Sequence, residues 1–179
     1  MMNRILVAGV GNVFLGDDAF GVEVAQRLMH RELPQNVQIV DFGIRSLDLG
    51  YALQDGYATA ILIDTVQRGG TAGTLYVIEP ETGTGDNDSP MDLLSPHDMS
   101  PDSVLRFACT SRVEGQQILL VGCEPESFGT EFDGEGRMGL SEPVAAAVDK
   151  AIELIDSLIR RTAPDGLHTR EATSTAATS

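Results

Sequence analysis

The chain has no tryptophan, two cysteines and three histidines, and its 12 lysines and arginines are outnumbered by 27 aspartates and glutamates. Each shortage excludes something. Cys109 and Cys123 form no Cys-x-x-Cys pair and each follows apolar residues, so they read as buried thiols of a reducing compartment rather than a disulfide or a zinc knuckle. The formal charge of −15 repels phosphate backbones and anionic membrane surfaces, so neither nucleic acid nor a membrane is an expected partner. That charge suits a protein handling a divalent cation or docking a basic segment, although a solvated acidic surface is the simpler explanation. No apolar run approaches the ~18 residues of a membrane span, and the N-terminus lacks a signal-peptide pattern. The expected location is cytoplasmic.

What is present is an alternation of strand and helix patterns over 179 residues, the length of one domain. Ile5–Ala8 is a continuous apolar run of the kind a strand covered on both faces requires. Phe20, Val24 and Leu28 at helical spacing predict a first helix to about Arg31, ended by Pro34. Strands are expected at Val37–Asp41 and Ala60–Asp64, each closing on an acid, with a short helix capped by Ser46 between them. Thr74–Ile78 reads as a fourth strand, antiparallel to the third because the interval is short. Residues 79–99 form a long loop rich in Gly, Asp and Pro; loops of that length are usually functional or disordered. Ser100-Pro101-Asp102 opens a helix to about Thr110, and Gln117–Val121 is the last clear strand. A Gly- and acid-rich loop leads to Ser141-Glu142-Pro143, which opens a final helix with a buried stripe of Val144, Val148, Ile152, Ile155 and Ile159. Two units follow: one α/β domain over 1–162 and a disordered tail over 163–179. The fold class is α/β, a three-layer arrangement with a mostly parallel twisted sheet of about five strands and helices on both faces.

In such sheets ligands bind beyond the carboxyl ends of the strands, at the point where the strand order reverses. That rule gathers Asp17 and Asp18 after the first strand, Asp41 after the second and Asp64 after the third on one rim. His97, in Leu94-Ser-Pro-His97-Asp98 of the long loop, is the histidine best placed to join them; His30 falls near the exposed end of the first helix and His168 in the tail. One imidazole and two carboxylates suit a divalent transition metal, with waters completing the shell. Structural roles compete at each position: Asp18 complements a helix dipole, Asp64 caps a turn, and a loop histidine is often incidental.

The opening Gly9-Val-Gly11 also resembles a dinucleotide-binding turn, with Asp41 where a ribose-binding acid would stand. The third glycine position, however, is Phe14, and Gly16-Asp17-Asp18 would set negative charge against a pyrophosphate. A Rossmann-type nucleotide-binding protein is therefore the lesser alternative.

The segments Gly9-Val-Gly-Asn12-Val-Phe-Leu-Gly-Asp-Asp18-Ala-Phe-Gly-Val22, Ile61-Leu-Ile-Asp64, Ser95-Pro-His97 and Leu120-Val-Gly-Cys-Glu-Pro-Glu-Ser127 resemble, in order, those of the hydrogenase maturation endopeptidases. These enzymes trim the C-terminal extension from the large subunit of nickel–iron hydrogenases. The resemblance implies an α/β fold with a mostly parallel sheet, and a metal held by a first-loop carboxylate, a strand-ending aspartate and a loop histidine. Carried onto this chain, those are Asp18, Asp64 and His97, which would serve as metal ligands and as the catalytic group of an aspartyl-type protease. The metal would be nickel supplied by the substrate, with cadmium or zinc as substitutes. Asn12 and Asp41 are the implied substrate-contacting or site-shaping residues, and the implied partner is the hydrogenase large-subunit precursor. The chain departs from the family in having Asp18 where Glu is frequent, and Asp41-Phe-Gly-Ile-Arg45 where many members have Asp-Gly-Gly-Thr. A non-catalytic nickel-dependent chaperone or docking factor would use the same three ligands.

Overall fold

A computed structural model describes residues 3–80, 101–128 and 138–162. Five strands, β1 (Ile5–Val10), β2 (Val37–Gly43), β3 (Thr59–Thr65), β4 (Leu75–Ile78) and β5 (Gln117–Cys123), form one sheet in the order β2-β1-β3-β5-β4. All neighbouring pairs are parallel except β4 with β5. The helices are α1 (Phe20–Met29), α2 (Ser46–Leu53), α3 (Pro101–Ser111) and α4 (Glu142–Thr162), and a 3-10 turn, Gly16–Ala19, precedes α1. The expected α/β sheet with helices on both faces is the architecture found.

Strand alternation builds the two cores. Ile5, Val7, Ile61, Ile63, Leu119 and Val121 point to one face, where they pack with Phe20, Val24 and Leu28 of α1 and Val144, Val148, Ile152, Ile155 and Ile159 of α4. The intervening Leu6, Ala8, Ala60, Leu62, Ile118 and Leu120 face Leu49 and Leu53 of α2 and Val104 and Ala108 of α3. Side chains buried on both faces explain why β1 and β3 read as unbroken apolar runs. No helix among the described residues is long and apolar enough to cross a membrane.

Several boundaries shift. β1 runs through Gly9, which pairs with Asp41 on one side and Ile63 on the other, so Gly9 lies inside the strand and not after it. β2 and β3 likewise run past Asp41 and Asp64 to Gly43 and Thr65. Helix α1 stops at Met29, before Pro34 acts on it. Ser46 is the first helical residue of α2, with Arg45 at the cap position and no side-chain cap bond. β4 is antiparallel as expected, but it pairs with β5 and not with β3. β5 returns later in the chain and takes the position beside β3 along seven register pairs from Thr59–Gln117 to Thr65–Cys123, which confines the short β4 to the sheet edge. Cys123 is buried and Cys109 only half-buried; both are free thiols. The expected tail at 163–179 and most of the 79–99 loop lie outside the described residues.

The sheet reverses direction between β1 and β3: the chain leaves β1 toward β2, then crosses back to the other side. Close packing of α1 makes this junction tight. A side chain on Gly21 of α1 would run into the carbonyl oxygens of Val10 and Ile63, and one on Gly9 would meet Gly21 and Ala25. In Gly21→Ala the gain in helix propensity, ~1 kcal/mol, is outweighed by overpacking against two backbone oxygens. We expect a net loss of about 1–3 kcal/mol by urea denaturation; unchanged stability would contradict the packing described.

Candidate functional site

The loop after β1 is shaped by its own residues. Gly11 adopts φ 134°, a conformation that favours glycine, and the space a side chain would need is filled by the backbone carbonyl of Asp18. The glycine therefore serves the loop's closure on itself, and not the approach of a ligand as the sequence pattern suggests. Asn12 closes the loop twice. Its backbone N–H donates to Asp18 Oδ2 at 2.8 Å, and its side-chain carbonyl accepts from Phe14 N–H at 3.0 Å. Asp18 is half-buried, its second oxygen accepting from Thr65 Oγ1 at 3.3 Å.

Asp64 approaches from the end of β3 and is 2 % exposed. It accepts from Thr65 N–H at 2.7 Å. Burial pushes its carboxyl well above the ordinary carboxylate range, and the neighbouring Asp18 charge pushes it further against the Thr65 bonds. Burial also raises Asp18, opposed by the bonds from Asn12 and Thr65. Two acids thus share one poorly solvated place and resist being charged together. A cation set between them removes that cost, because it compensates both carboxylates at once.

Two other acids at the same rim are spent internally. Asp17, 1 % exposed, accepts from Ser141 N–H at 2.6 Å, Ser141 Oγ at 2.9 Å, Glu126 N–H at 2.8 Å and Ser127 N–H at 3.0 Å. It ties the 3-10 turn to the segment after β5 and to the start of α4. Glu124 accepts from Arg68 N–H at 2.9 Å, Gly69 N–H at 3.0 Å and Tyr76 Oη at 2.9 Å. Burial works against its charge, but these donors and Gly70 N–H hold its carboxyl below the usual value. Sequence reasoning missed Thr65 and Glu124; each stands next to a residue it singled out or inside a quoted segment, yet nothing in spacing distinguishes them.

Asp41 lies on the far side of β1 from Asp64, and its Oδ2 accepts from Gln26 Nε2 of α1 at 3.1 Å. The structure thus brings Asp18 and Asp64 together and turns Asp17 inward, while Asp41 stands at the same carboxyl-end rim on the other side of β1, bonded to Gln26. Among the described residues no three of His, Cys, Asp and Glu group as a metal centre; His97 lies outside those residues. His30 is exposed at the end of α1, with Nδ1 2.7 Å from the Gln26 carbonyl. Burial, with the charges of Asp17 and Glu124, pushes the Cys123 thiol up to about 12, so it is no thiolate nucleophile at neutral pH.

Residues 22–158 match the family model of the hydrogenase maturation proteases. The chain is 29 % identical over 168 residues to the hydrogenase 2 maturation protease of Escherichia coli, covering 92 % of this chain and 95 % of the relative. Among solved structures it resembles a hydrogenase 2 maturation peptidase from a Thaumarchaeota archaeon, with TM-score 0.64 and 30 % identity over 88 % of this chain and 98 % of the other. It also resembles the nickel–iron hydrogenase maturation protease HycI of Thermococcus kodakarensis, with TM-score 0.65 and 27 % identity over 89 % and 94 %.

The raised carboxyls carry a sign for stability. Below pH 3.8, the ordinary value, Asp64 is protonated in both folded and unfolded chains. Above it the unfolded chain ionises first, so folding stability falls with rising pH until the folded carboxyl also ionises. Asp64→Asn keeps the Oδ1 acceptor for Thr65 and removes the charge. It should stabilise the fold at pH 7, with the gap closing as pH approaches 3.8. Thermal unfolding of both proteins across pH checks this; a less stable variant at pH 7 would contradict it.

Proposed function

This chain belongs to the hydrogenase maturation protease family, and we propose that it removes the C-terminal extension of a nickel–iron hydrogenase large-subunit precursor after nickel insertion. It is an endopeptidase, a hydrolase. The observation that carries the reading is the Asp18–Asp64 pair at the switch between β1 and β3, electrostatically incomplete until a cation joins it.

On this reading the nickel belongs to the substrate. Asp18 and Asp64 hold it from the two strand ends, and His97 completes the protein's share of the ligands. The recognition is conditional: a precursor without its metal presents nothing to relieve the repulsion between the carboxylates. Oxygen and imidazole donors suit nickel and also accept cadmium or zinc. Asp64, buried at the cleavage rim, is the group best placed to hold or release a proton in an aspartyl-type cleavage. Asn12 shapes the loop that carries Asp18, and Asp41 lies on the neighbouring strand where an extended substrate can pass. The acidic surface, the free thiols and the absence of a membrane-length helix among the described residues support a cytoplasmic setting.

Purified protein incubated with nickel-loaded precursor should release a short C-terminal peptide, read by intact mass. Asp18→Asn and His97→Ala should each lower the rate by at least about 100-fold with unchanged far-ultraviolet circular dichroism. Stable binding without a mass change would instead favour the chaperone role, and processing retained in both variants would overturn the site.

A further inference from the structure

We propose that Thr65 is a positioning residue of the carboxylate pair: its backbone N–H goes to Asp64, its hydroxyl lies within reach of both aspartates and donates to Asp18, and together they set how the two face each other. Thr65 is the last residue of β3, fully buried, and opposite Cys123 in the β3–β5 register. Its N–H donates to Asp64 Oδ1 at 2.7 Å and its Oγ1 to Asp18 Oδ1 at 3.3 Å. The proposal rests on the cleavage reading above for its kinetic consequence only.

The topology explains why the two donors are available. Successive amides of a strand point to opposite sides, and Val66 N–H goes to Cys123 O on the β5 side. Thr65 N–H therefore points to the β1 side. There the β1–β3 pairing has already ended at Gly9–Ile63, and Gly11 turns the chain away toward Gly43. The orphaned amide is taken up by the Asp64 carboxylate. A buried donor without a partner is costly, so this bond holds Asp64 in one orientation.

The hydroxyl works from the other direction. β-Branching restricts the Thr65 side chain, and full burial removes water as a competing partner. Asp18 is thereby held at both oxygens, Oδ2 by Asn12 N–H and Oδ1 by Thr65. Two carboxyl groups crowded into one desolvated place drift apart unless something restrains them. Thr65 restrains both from a single rigid residue, so a cation meets a preset pair.

Thr65→Val keeps the side chain's shape and the amide but lacks the hydroxyl, whereas Thr65→Ser keeps the hydroxyl and loses the methyl. With nickel-loaded precursor, Thr65→Val should lower kcat about tenfold and leave KM within about twofold, and Thr65→Ser should recover to within about threefold of the parent. Circular dichroism confirms that each variant is folded. A Thr65→Val enzyme at the parent rate, or a Thr65→Ser enzyme as impaired as Thr65→Val, overturns the proposal. If the parent chain cleaves no precursor, the cleavage reading falls, and cadmium titration of the isolated full-length proteins decides the role of Thr65. Binding about tenfold weaker in Thr65→Val and restored in Thr65→Ser supports it; equal binding, or no uptake by the parent, overturns it.

Discussion

The site depends on how closely one helix approaches the sheet. Gly21 of α1 lies against the carbonyls of Val10 and Ile63, and Gly9 lies against Gly21 and Ala25. The 3-10 turn leading into α1 is thereby drawn down onto the end of β3, which sets Asp18 beside Thr65 and Asp64. A bulkier contact at Gly21 would lift the helix start and separate the two carboxylates. The glycines that look in sequence like a phosphate cradle are used for helix–sheet packing and for a loop closed on itself.

Four acids near this rim divide by how well they are supplied with donors. Asp17 receives four hydrogen bonds, and Glu124 is wrapped by backbone amides and the Tyr76 hydroxyl. Each holds segments together and has little left to offer a ligand. Asp18 and Asp64 have fewer donors and lie in a desolvated place, and their carboxyls are pushed upward. The contrast marks which acids are structural and which are left with unmet charge. A cation set between the two carboxylates would meet that need.

Much of the fold is legible in the sequence, because both faces of the sheet are covered. Continuous apolar runs at Ile5–Ala8 and Ala60–Ile63 and the stripe from Val144 to Ile159 are consequences of burial, and burial acts residue by residue. The partner of β4 was not legible. Short intervals favour hairpins, but the longer-range β3–β5 pairing takes the place a hairpin would use. The roles of the acids were legible only in part for a similar reason: carboxylates look alike in sequence, and donors arriving from Ser141, Glu126 or Thr65 distinguish them.

The chain by itself determined its α/β class, its acidic character, its family and the identity of Asp18 and Asp64 as the acids worth following. The first two follow from residue type and local periodicity, and the last two from the resemblance of whole ordered segments to those of a known family. Tertiary structure alone decided that Asp17 turns inward, that Asp41 stands on the other side of β1 and that Thr65 joins the remaining two. Hydrogen bonds between residues tens of positions apart form only once strand order and helix packing are in place, and no local pattern encodes which donor reaches which carboxylate.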